Sequence, residues 1–143
     1  MKITLISFLI FLFAANDCSN QAFQSVESIS YETFTRGSST MYKVTPEIIT
    51  VKSTGLNASE RSENISAGDW QNLLVTIESV DVSNMSQLEA PSDSRASDAA
   101  LHAILSLRKN DTIYKTNSFD HGNPPSEVKP LVEAILRLAE NVE

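Results

Sequence analysis

The stretch LHAILSLRKNDTIYKTNSF, from Leu101 to Phe119, decides the fold. Leu101, Ala103, Leu105 and Leu107 alternate with His102, Ser106 and Arg108, and Ile104 alone interrupts the polar side. Alternation of this kind sends every second side chain to one face, so the segment reads as a strand with one buried side. Lys109-Asn110-Asp111 is turn chemistry, and Thr112 to Phe119 returns as the second strand of a hairpin. The length of the turn then sets the register. A two-residue turn at Asn110-Asp111 puts His102 opposite Phe119 and Ala100 opposite His121, with both histidines on one face. A three-residue turn over Lys109 to Asp111 puts them on opposite faces.

After the break at Gly122-Asn123-Pro124-Pro125, the apolar residues Leu131, Val132, Ile135, Leu138, Ala139 and Val142 recur at helical spacing. Pro130 fits the first helical position, where its missing N–H costs nothing. Upstream of the hairpin, Trp70, Leu73, Leu74, Ile77 and Val80 mark an earlier helix, and Ser66-Ala67-Gly68-Asp69 leads into it as a capping box. A long polar loop, Ser83 to Ala99, separates that helix from the hairpin. Loops of this length are often functional or mobile. Before the first helix, Ile29–Phe34, Met41–Val44 and Glu47–Ser53 read as strands, with a turn at Arg36 to Ser39 and a polar loop from Thr54 to Ser66.

The order implies an α+β fold, ββ(β)-α-ββ-α: an antiparallel sheet of about four to five strands with two amphipathic helices on one face. The expected core comprises Trp70, Leu73, Ile77, Leu105, Leu107, Leu131, Ile135 and Leu138.

The N-terminus carries one lysine, Lys2, and then an apolar run from Leu5 to Phe13 broken by Ser7. This is the pattern of a secretory signal, and it is too short for a membrane span. Residues 1–14 are therefore expected to be a signal peptide cleaved after Ala14, residues 15–28 a flexible tether, and residues 29–143 a single domain. The mature chain would have no transmembrane span and would be periplasmic or extracellular. Cys18, the single cysteine, lies where bacterial lipoproteins carry their lipid-accepting residue, so lipidation there would tether the chain to a membrane. One cysteine makes no internal disulfide, which leaves the core to hold the domain together.

The formal charge of −7 repels phosphate backbones, and no lysine or arginine cluster offsets it; nucleic acid is excluded as an expected partner. Four glycines supply no phosphate-cradling loop, and the serines lack any nucleophile-elbow context. Asn57, Asn64, Asn84 and Asn110 begin glycosylation sequons that matter only in a eukaryotic secretory route.

The residues that offer chemistry are His102, His121, Asp120 and Asp98. Two histidines and a carboxylate suit zinc, or an acid–base pair, provided that the hairpin brings them to one face. The alternative reading of Phe119-Asp120-His121-Gly122-Asn123-Pro124-Pro125 is a strand end, a glycine turn and a proline entry into the last helix. No catalytic residue, metal or cofactor is expected on balance.

The chain as a whole resembles small exported proteins of Gram-negative bacteria. A strand leading into a glycine-containing loop (Ile29 to Ser39), a helix with paired leucines (Leu73, Leu74) and the closing Pro130-Leu131-Val132 are similar to emfourin-type metalloprotease inhibitors. Gly37-Ser38-Ser39 stands where that family carries a double glycine. The expected function is a non-enzymatic binding or inhibitory module with a protein partner. The alternatives are a metal protein or enzyme centred on the hairpin histidines, and a structural accessory of the cell envelope. Binding is expected to use a strand edge or the Ser83–Ala99 loop.

Overall fold

The computed structural model describes residues 26–142. The expected signal peptide, most of the tether and Cys18 lie outside these residues. Seven strands and two α-helices follow in order: β1 (Val26–Phe34), β2 (Ser39–Val44), β3 (Ile48–Ser53), β4 (Ser59–Asn64), α1 (Ala67–Glu78), β5 (His102–Lys109), β6 (Thr112–Lys115), β7 (Phe119–Asp120) and α2 (Lys129–Ala139). The sheet order is β4-β3-β2-β1-β5-β6, with β7 also pairing β5, and every pair is antiparallel.

The α+β architecture stands, with more strands than the sequence suggests. Thr54–Ser66, read as a loop, contains β4, whose six residues are all exposed. Burial on neither face leaves a strand of this kind without the alternation that marks one. The sheet also starts earlier than Ile29: Val26 and Ser28 are buried beside β5, across a register shift that lies between them. The return strand of the hairpin is divided into β6 and β7.

The helices cover one face of the sheet. Ile29, Tyr31 and Thr33 alternate with less buried residues along β1, and register places Leu107 opposite Ile29, Leu105 and Tyr42 opposite Tyr31, and Val44 opposite Ile29. Leu73, Leu74 and Ile77 of α1 and Leu131, Val132 and Ile135 of α2 complete the same hydrophobic cluster. Each such side chain, once fully buried, contributes about 1.5–3 kcal/mol. Trp70 and Leu138, expected inside, are half-buried at the rim.

Local chemistry fixes the ends of these elements. Ser66 and Asp69 form the reciprocal capping box of α1. Pro130 lies one residue inside α2, after Lys129 and still within the turn whose amides have no helical acceptor. Asn110 and Asp111 turn the β5–β6 hairpin with φ of 49° and 60°, the paired left-handed backbone of a two-residue turn whose twist matches the strands.

Candidate functional site

The hairpin settles where the histidines go. The two-residue turn pairs Lys109 with Thr112 and Ser106 with Lys115, as the first of the two alternatives requires. The register then slips by one residue, because β7 pairs His102 with Asp120 and Ala103 with Phe119. The slip occurs at Thr116. Its N–H donates to the Leu105 carbonyl at 3.0 Å, while its side-chain hydroxyl accepts the Leu105 N–H at 3.1 Å. A side chain thus replaces a main-chain carbonyl in the ladder, and the strand gains a bulge. A one-residue slip exchanges faces, so the histidines part company despite the short turn.

His121 joins the helix-covered side. Its Nδ1 lies 2.8 Å from the Tyr31 hydroxyl, and its ring tilts against the Tyr31 ring. Tyr31 is fully buried between Tyr42 and Phe119; burial, with Tyr42 adding to it, pushes the phenol well above its usual range. His102 lies on the other side, stacked on Phe34 with its Nδ1 3.2 Å from Ser118 Oγ. Asp98 is exposed and faces Arg36 across 3.7 Å. Among the described residues, no three histidine, cysteine, aspartate or glutamate side chains form a metal-binding group.

Asp120 is the centre of a different cluster. Its side chain is buried, and its carboxylate accepts four kinds of donor: Ser92 Oγ at 2.5 Å, Ser94 N–H at 2.7 Å, Arg95 N–H at 2.9 Å and the Arg95 guanidinium at 3.1 Å. The guanidinium also donates to the Ser92 carbonyl at 2.7 Å and meets Asp93 at 3.1 Å. Asn123 Nδ2 donates to Ser92 Oγ at 2.8 Å, so that hydroxyl has both a donor and an acceptor. The Ser92 hydroxyl above all, with the Arg95 and Ser94 amides and the Arg95 side chain, holds the Asp120 carboxyl far below the usual carboxylate range against the opposing effect of burial.

A carboxylate so saturated is a poor base and has no free oxygen for a metal. Its effect is mechanical. The connection between α1 and β5 contains two 3-10 helices, Val82–Gln87 and Ser94–Ser97, and Asp120 ties the start of the second to the end of β7. Buried Met85 anchors the first, and Asn117 Nδ2 holds the Ser86 carbonyl at 2.8 Å. The ordered segment becomes one wall of an open groove of about 690 Å³, lined by Gln87, Leu88, Glu89, Asp93, Arg95 and Asn117 among others.

Of the four residues singled out by sequence, the cluster contains Asp120 alone. Ser92, Ser94, Arg95, Asn123 and Tyr31 were not legible as partners. One signal was available: Arg95 is the only cation between Ser83 and Ala99, and a lone cation among serines and acids has a carboxylate to meet. Comparison with protein-family models and with curated proteins finds no match.

Proposed function

We propose that the protein is an exported, non-enzymatic binding module that uses the groove beside the Gln87–Arg95 segment to hold a segment of another protein. The observation that carries this reading is the tie between that segment and Asp120. A loop ordered before its partner arrives does not lose that conformational freedom on binding. The exposed wall residues Gln87, Glu89 and Asp93 mix with half-buried Leu88 and Ala90, giving polar contacts around a small apolar strip. Exposed acids on the wall favour a partner segment with basic residues. Export rests on the Lys2 and Leu5–Phe13 pattern.

Site-directed photo-crosslinking in the producing cell tests this. A photoreactive side chain at Glu89 should give one discrete protein adduct, and the same group at exposed Val75 on α1 should give none. The adduct should survive His121→Ala, because the groove does not use that ring. Equal adducts from both positions, or loss of the adduct with His121→Ala, would count against the groove.

A further inference from the structure

The two edges of the sheet are treated differently. At one end the first 3-10 helix lies against β6. At the other, β4 pairs only with β3 among the described residues, and all six of its residues are exposed. The direction of its outward backbone groups follows from hydrogen-bond phase. The Ile65 N–H donates to the Glu47 carbonyl at 3.0 Å, in the same register that pairs Glu63 with Ile49 and Arg61 with Val51. Alternate residues of an antiparallel strand bond to alternate sides. Ser59, Arg61 and Glu63 therefore bond to β3, while the N–H and C=O groups of Glu60, Ser62 and Asn64 point outward.

We infer that this edge joins a second copy of the chain, β4 to β4, antiparallel about a two-fold axis through Ser62. Charge selects this register. With the axis at Ser62, the outward groups of Ser62 meet those of Ser62 in the second copy, and Glu60 meets Asn64. Arg61 then lies opposite Glu63 of the second copy, and the reverse, giving two opposite-charge pairs at positions where strands bring side chains closest. Moving the axis one residue either way keeps the backbone in phase but sets Arg61 against Arg61, or Glu63 against Glu63. Larger shifts leave less of β4 paired. Neither Arg61 nor Glu63 has a salt-bridge partner among the described residues, whereas Glu60, on the other face, is engaged by Lys52 at 2.8 Å. The edge thus admits one self-pairing and opposes its neighbours, which is how an exposed strand can give a closed dimer without an open-ended stack.

Sedimentation equilibrium of the mature protein over a wide concentration range, into the millimolar range, tests the proposal. The wild type should show a monomer–dimer equilibrium. Arg61→Glu or Glu63→Arg should raise the dissociation constant about tenfold or more by setting like charges opposite one another. The double variant Arg61→Glu/Glu63→Arg should restore association. Ser62→Pro, which removes an outward N–H and none that β3 uses, should abolish it. These exposed positions leave the core untouched, and circular dichroism checks the fold of each variant. A monomer at every concentration, or a dimer indifferent to both single charge changes, would overturn the proposal. The groove would be unaffected by either result, because none of these residues lines it.

Discussion

Asp120 is a charge taken out of water and kept as a charge. Its folded-state affinity for protons is depressed, so the stability that it contributes is fully present above the ordinary carboxylate pKa of about 3.9 and is lost as pH falls through that value toward the depressed one. Asp120→Asn keeps the shape but loses the charge and part of the acceptor capacity. The urea midpoint of the wild type should exceed that of Asp120→Asn at pH 7, and the gap should close progressively below about pH 4. A gap that stays constant down to pH 2 would show that the carboxylate's ionisation contributes nothing. Thr116 is the other residue with a disproportionate effect. Thr116→Val leaves the buried Leu105 N–H without its side-chain acceptor, at a cost of about 1–3 kcal/mol by urea unfolding. No loss would mean that the bulge does not depend on that hydroxyl.

Among the elements, α2 is the clearest test of the two-layer packing. Leu131 and Ile135 are almost fully buried, and truncating either to Ala should cost about 2–5 kcal/mol. A loss under about half a kilocalorie would place the helix at the periphery and contradict the packing. The elements also differ in how legible they were. α2, α1 and β5 announce themselves because burial on one face writes a period into the sequence. β4 writes none, since Ser59-Glu60-Arg61-Ser62-Glu63-Asn64 is exposed on both faces and is recruited by the free edge of β3. The division of the return strand was equally hidden. The sequence left two turn lengths open; the two-residue turn at Asn110-Asp111 sets the first register, but the slip at Thr116 depends on a hydroxyl finding a main-chain N–H across the hairpin, which no local pattern encodes. The histidines end on opposite sides for that reason alone.

At the scale of the whole molecule, the sheet and its two helices form the scaffold, and the long connection between α1 and β5 is the part shaped by tertiary contacts. It carries few buried residues of its own: Met85 is the one buried side chain in the two 3-10 helices. Its order depends on bonds to positions 25 to 28 residues away, at Asp120. Sequence could mark the segment as long, polar and of interest, and could mark Asp120 as conspicuous. It could not join them, because the join exists only once β7 is paired. The binding role proposed for the groove requires that join to be made in the free protein. Amide hydrogen exchange at neutral pH reads it directly. The Ser94 and Arg95 amides, which donate to the Asp120 carboxylate, should be protected in the wild type and should exchange at loop rates in Asp120→Ala, while the amides of α2 keep their protection. Unprotected Ser94 and Arg95 amides in the wild type, or protection that survives Asp120→Ala, would contradict the account.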